Sequence, residues 1–272
     1  MCTVRAYLIC PKRRAPSPAP EVGGNEILKL VQESPLARKL GAFIDLSPPD
    51  FALLSKLHER QRRFPVGVDI VHQGQCDREA YVLARGWACS YKLLPGGTRQ
   101  IVDFQIPGDF LGLRSMLFRT ADHNIEPVTE IEAYVVTKND IEDTFSRSPR
   151  LATAVLWAAS RDEAMLVEHL LDLGRRDALQ RVAHYLLELG ARLRLVGLGS
   201  KAGYDCPISQ YLLADVLGLS AVHVNRVLRQ LREQGLLTFR DGKVTFDDLA
   251  GLVALAEFDP SYLDQDGPLF RR

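Results

Sequence analysis

No run in this 272-residue sequence is both long and apolar enough to cross a bilayer. The longest uncharged, mainly apolar run in a helical pattern, Leu151 to Ser160, has ten residues, where about 20 are needed. A secretory leader is missing as well, because the basic cluster Lys12-Arg13-Arg14 follows the first apolar stretch instead of preceding it. We therefore expect a cytoplasmic protein with no membrane partner. Net charge is lacking too: 34 Lys and Arg balance 34 Asp and Glu, so any surface that attracts nucleic acid must be local. Cysteine is scarce. Cys2, Cys10, Cys76, Cys89 and Cys206 form no CxxC pair, which argues against a disulfide framework or a structural zinc site. Clustered histidines are absent from the glycine-punctuated middle of the chain, which holds only His72 and His123. A metal enzyme on a cupin-like barrel needs closer ligands. The expectation is no catalytic residue, no metal and no cofactor.

What is present divides the chain. Pro11 to Gly24 holds four prolines and two glycines, too few apolar groups to bury, so residues 1–35 read as a flexible tail. Short helices are expected from Leu36 to Leu57, with Ser47 as an N-cap and Pro48 at the first helical position. From 64 to 137, apolar runs are cut by Gly67, Gly74, Gly86, Gly96-Gly97, Gly108 and Gly112. That spacing predicts an antiparallel roll or barrel, placed in a domain of residues 36–148. In one run Trp87, Cys89, Tyr91 and Leu93 alternate with Ala88, Ser90 and Lys92, which predicts one buried face.

Residues 149–173 turn to a helical period. Ala152, Leu156, Ala159, Glu163, Leu166, Leu170 and Leu173 form a heptad seam. A second stripe, Leu151, Val155, Ala158, Met165 and His169, runs beside it. Two stripes suit a helix that packs on its own domain and on a second copy together, making Leu156, Ala159, Leu166 and Leu170 the dimerisation candidates. A single wide core-facing stripe is the alternative. Gly174 is read as the start of another helix, followed by a polar loop with Gly197, Gly199 and Gly203.

The segment Gln210 to Arg229 reads as a helix-turn-helix. Ser209 and Ser220 are N-caps. Ala214 is small where the helices cross, Gly218 fits a left-handed turn, and Val224 supplies an inner contact. On the second helix Val222, Asn225, Arg226 and Arg229 share the outer face at i, i+3, i+4, i+7. Arg suits guanine O6/N7, Asn suits adenine, and an apolar Val suits a thymine methyl. Asp241-Gly242 then signals a tight hairpin, a wing whose Arg240 and Lys243 reach phosphate, as do the hydroxyls of Ser209 and Ser220. Residues 174–249 carry 11 Lys and Arg against 8 Asp and Glu, a local excess of the expected sign. Residues 250–272 read as a closing helix and tail.

The order of parts is α+β: an antiparallel β-roll, a long helix and a C-terminal winged helix-turn-helix. Over residues 35–258 it resembles the Crp–Fnr superfamily of bacterial transcription regulators. The resemblance rests on the roll glycines, the cassette Gly108-Asp109-Phe110-Leu111-Gly112, and Ser209 to Leu237. It implies a cyclic-nucleotide-binding-like sensor, a homodimer, double-stranded DNA as ligand and RNA polymerase as a further partner. The effector cassette would comprise Gly108, Asp109, Gly112 and Glu126. Members that bind cyclic AMP carry Gly-Glu and Arg-Ser there, whereas Gly112 is followed by Leu113 and Arg-Ser is aligned near Glu126-Pro127. A phosphodiester needs donors and positive charge, so cyclic AMP is not the expected effector. Cys2 and Cys10 lie too far apart for the iron–sulfur pattern of the oxygen sensors, and Cys89 reads as core. Relatives often have Glu where Val222 stands. A nucleotide- or metal-sensing regulator acting through a protein partner is the other reading.

Overall fold

A computed structural model describes residues 29–76 and 79–263. Most of the expected tail, with Cys2 and Cys10, lies outside these residues. Residues 29–35 are not tail: 29–32 are helical, and Val31 is fully buried against Leu36 and Leu40 in one apolar cluster. Ser34 then caps α1 (Pro35–Gly41) through its Oγ. Helix α2 (Pro48–Leu57) starts where the sequence predicts, with Ser47 and Asp50 forming a capping box.

Seven strands follow: β1 (Gln61–Phe64), β2 (Glu79–Arg85), β3 (Ala88–Leu93), β4 (Arg99–Gln105), β5 (Phe110–Leu111), β6 (Asn124–Pro127) and β7 (Ile131–Thr137), with the short α3 (Leu113–Leu117) between β5 and β6. They make two antiparallel sheets, β1-β7-β2-β5 and β4-β3-β6. The alternation predicted for β3 holds only in part. Ala88, Cys89, Ser90 and Tyr91 are all buried, while Leu93 is exposed. The sheet is covered on both faces: Cys89 and Tyr91 pack toward the C-terminal helices, Ala88 toward the roll interior.

Helix α4 (Lys138–Arg147) leads to α5 (Pro149–Gly174), a helix of 26 residues. Gly174 ends α5 and does not start the next helix. That helix, α6 (Ala178–Leu195), is capped by Asp177, whose carboxylate accepts from the N–H groups of Leu179 and Gln180. The expected polar loop contains β8 (Gly199–Ser200) and β9 (Gly203–Asp205). With β10 (Leu237–Arg240) and β11 (Lys243–Phe246) they form a sheet in the order β10-β11-β9-β8. Gly203 is required there: its φ is +140°, and a Cβ would stand 2.0 Å from the Val244 carbonyl oxygen. Helices α7 (Gln210–Leu217), α8 (Ala221–Glu233) and α9 (Leu249–Ala256) complete this part, closed by a 3-10 turn at Pro260–Leu263.

The C-terminal helices sit directly on the roll. Trp87, Cys89, Tyr91 and Phe104 share one apolar cluster with Tyr185, Leu189 and Leu213. Arg99 Nε is 2.9 Å from Asp215 Oδ2 at the end of α7, and Gln100 Nε2 donates to the Asp215 and Val216 carbonyls.

Candidate nucleic-acid interface

The turn is built as the sequence predicts. Ser209 Oγ accepts from the Leu212 N–H and Ser220 Oγ from the His223 N–H, each at 3.2 Å. Among the described residues neither hydroxyl donates a hydrogen bond. Gly218 takes φ +63°, and the Leu219 N–H closes on the Ala214 carbonyl at 3.0 Å. α7 and α8 cross at 102°, within the usual range for this motif. Leu213, Ala214, Leu217, Val224, Val227, Leu228 and Leu231 are buried, which aims the opposite face of α8 outward.

That outward face carries the four expected readers. Val222 is 82% exposed, an unfavourable place for an apolar side chain in water. Asn225 and Arg226 are exposed beside it. Among the described residues Arg226 makes no ion pair, whereas Arg229 faces Glu233 one turn on at 3.6 Å. Asp241 and Gly242 have φ +51° and +71°, the left-handed pair of a tight hairpin, and Arg240 pairs across it with Lys243 at the exposed tip. Two neighbours escaped the sequence reading. Tyr211 is 76% exposed at the start of α7, and Gln210 Oε1 accepts from Asn225 Nδ2 at 2.9 Å. Their position in the first turn, opposite inward Leu213, was the available signal.

Helix α5 separates its two stripes. Leu151, Val155, Ala158 and Met165 are buried in the chain's own core. Leu156 and Leu170 are 66% and 70% exposed, Ala159 is exposed, and Leu166 is half-buried. No single helix among the described residues is long and apolar enough to cross a membrane.

Between roll and α5 lies a cavity of about 430 Å³, lined by Ser90, Gln105, Gly112, Arg114, His123 and Leu166 among others. Of the cassette residues, Asp109 and Gly112 line it, and Gly108 and Glu126 do not. Gly108 lets the chain pass α1, where a Cβ would come 2.9 Å from the Pro35 backbone. Gly112, at φ +70°, borders the cavity. Asp109 is tied up: its carboxylate accepts from Lys39 Nζ at 2.7 Å, Arg192 Nη2 at 3.0 Å and the Ile106 N–H at 2.9 Å. Burial would raise its pKa, but Lys39 and Arg192 hold it at about 2. Glu126 corrects the expectation. Alternate residues of a strand point to opposite faces; Ile125 lines the cavity, and Glu126 turns away toward Arg99 at 3.3 Å. Glu126 therefore does not repel a ligand in this cavity. Arg114, an arginine that lines the cavity, faces Asp122 at 3.3 Å and His123 Nδ1 at 3.2 Å, with its side chain 47% exposed.

Sequence reasoning missed a buried ion network that reaches the cavity wall, where Asp103, Asp109 and His169 line it. Arg192 Nη1 is 2.9 Å from Asp103, and Arg192 Nη2 donates to the Phe104 carbonyl at 2.8 Å. His169 Nε2 of α5 is 2.9 Å from Glu188 Oε1 of α6. Burial would lower the His169 pKa, but the Glu188 carboxylate raises it to about 9. Asp103, His169 and Glu188 bring one ligand atom each within 4.8 Å of one another. The Arg192 guanidinium and the imidazolium already supply the positive charge that a metal ion would bring. The signal in the sequence was Glu188 and Arg192 at i, i+4 inside an apolar run.

Burial pushes the Cys89 and Cys206 thiols up to about 12, and Cys76 is exposed.

Residues 61–148 match the cyclic nucleotide-binding domain, and residues 180–255 match the Crp-like helix-turn-helix domain. The nitrogen fixation regulation protein FixK of Bradyrhizobium diazoefficiens is 31% identical over 72% of this chain and 82% of its own. The transcriptional activator protein FnrA of Stutzerimonas stutzeri is 27% identical over 78% of this chain and 87% of its own. The solved structure of FixK2 from Bradyrhizobium japonicum superposes with a TM-score of 0.64 at 28% identity, covering 72% of this chain and 96% of FixK2.

Proposed function

This chain is a DNA-binding transcription regulator of the Crp–Fnr family, and on that premise we propose that it reads an inverted-repeat site as a homodimer, under an effector other than cyclic AMP. Residues 36–148 act as the sensor, 149–173 as the dimer helix and 174–249 as the reader. The observation that carries the reading is the outward face of α8, where Val222 stands 82% exposed beside Asn225 and Arg226. The apolar stripe Leu156, Ala159, Leu166 and Leu170 supports a parallel pairing of α5 with a second copy. A dimer sets two reading helices about 34 Å apart, one turn of duplex. Ser209, Ser220, Arg240 and Lys243 hold phosphates on either side of the reading face, and RNA polymerase is the protein partner in the cytoplasm. Leu113 after Gly112, where members that bind cyclic AMP carry Glu, argues against a cyclic phosphodiester. Selection of bound duplexes from random DNA, repeated with cyclic AMP, tests this. An inverted repeat with half-sites one turn apart, enriched equally in both arms, is expected. Enrichment of a single half-site would refute the dimer reading, and enrichment only with cyclic AMP would refute the effector reading.

A further inference from the structure

We propose that Gln210 is a specificity-determining residue that acts through Asn225, pinning its carboxamide in the orientation that fits adenine. The proposal rests on the reading of α8 as the groove helix. A carboxamide meets adenine with its oxygen toward the N6 amine and an N–H toward N7. Turned over, it meets that edge with like against like. A free asparagine on an exposed helix samples both orientations, and its terminal torsion is broad and roughly two-fold.

Asn225 is not free in that sense. Its Nδ2 donates to Gln210 Oε1 at 2.9 Å. One of the two N–H protons is used in this way. The second, with Oδ1, remains on the exposed side, and Oδ1 has no partner among the described residues. The free edge is thus one donor next to one acceptor, which is the pattern adenine requires.

Gln210 can hold this position because its own backbone is fixed. It is the first residue of α7, directly after the Ser209 cap. Asn225 is the fifth residue of α8. The 102° crossing and the buried contacts of Leu213 and Val224 set the spacing between the two. The hydrogen bond therefore bridges the motif on its DNA-facing side. Before contact it settles an orientation that would otherwise be lost as entropy on binding.

The test uses the full-length protein and the selected site, with each base pair of a half-site replaced in turn. Affinities are measured at one salt concentration for the wild type and for Gln210→Met, Gln210→Glu and Asn225→Ala. Methionine keeps the length of glutamine and removes the acceptor. Gln210→Met should lower discrimination about two- to tenfold, at the same base pair where Asn225→Ala lowers it. Affinity for unrelated DNA, the salt slope and the melting temperature should not move. Glutamate restores the acceptor, so Gln210→Glu should keep the discrimination while weakening binding to every sequence. Full discrimination by Gln210→Met, or an equal loss on all DNA, would overturn the proposal and leave Gln210 a plain phosphate contact. If Asn225→Ala changes preference at no base pair, the reading role of α8 at that position fails, and the proposal fails with it.

Discussion

Raising the pH from about 6.5 to about 9 is expected to weaken the joint between α5 and α6, and His169 sets that window. Its side chain is 12% exposed, and that of Glu188 is fully buried. Burial opposes the imidazolium, and Glu188 overrides burial to hold the pKa at about 9 against an ordinary 6.5. A group whose folded pKa is raised gives its full stabilisation below the unfolded value and loses it as pH climbs through the folded value. At about 1.36 kcal/mol for each pH unit, this interval is worth about 3 kcal/mol. The lowered pKa of Glu188 is the same interaction seen from its partner and is not added again. Urea unfolding at pH 6.5, 7.5, 8.5 and 9 measures the loss, with His169→Gln as the reference. Glutamine still donates to Glu188 but does not titrate, so the variant should stay nearly flat. Cys89 and Cys206, pushed up to about 12 from 9.0, lose stability above pH 9 and do so in both proteins. Parallel loss in wild type and variant between pH 6.5 and 9 would refute the reasoning.

Other expectations follow from geometry already given. Leu156 and Leu170 are exposed, so Leu156→Glu with Leu170→Glu should leave the single chain folded and give monomers by light scattering; a persisting dimer would move the seam elsewhere. Arg226→Ala should cost about 1–3 kcal/mol per half-site and relax preference at one base pair. Arg240→Ala should weaken all sequences alike and lower the salt slope by about one. Binding titrations on site and scrambled duplex at several salt concentrations separate these two, and equal losses on both duplexes for Arg226→Ala would remove it from base reading. Gly203→Ala puts a Cβ onto the Val244 carbonyl and should destabilise by about 2 kcal/mol or more; a melting curve unchanged from wild type would contradict the close approach.

The helix-turn-helix was legible in the sequence because each constraint in it is local. A cap, a left-handed glycine and an i, i+3, i+4 pattern fall within twenty or so residues, so Ser209, Gly218 and Val224 could be placed without knowing the rest of the fold. The two stripes of α5 were legible for the same reason; periodicity left a single wide core-facing stripe as the alternative, and burial divides the two. What escaped was non-local. Lys39, Asp103 and Arg192 come from three separate elements and Asp109 from the turn before β5, and no spacing links them. Glu126 was misplaced because its face depends on the register of β6 against β3, which alternation alone does not fix. Strands β8 and β9 were hidden by their glycines, which local propensity counts against a strand and which the approach of Val244 requires.

Trp87, Cys89, Tyr91 and Phe104 on one side, and Tyr185, Leu189 and Leu213 on the other, belong to one apolar cluster. The roll and the C-terminal helices are therefore expected to unfold together, in one calorimetric transition. A cut at Arg175–Arg176 would not liberate a tidy reading module: the fragment would carry an oily scar where the roll had rested, with Asp215 stripped of Arg99. The same holds for exchange between relatives. A foreign reader grafted onto this roll would meet a strand face shaped for other side chains, so a working chimaera must carry the outer face of β3 and β4 along with its helices.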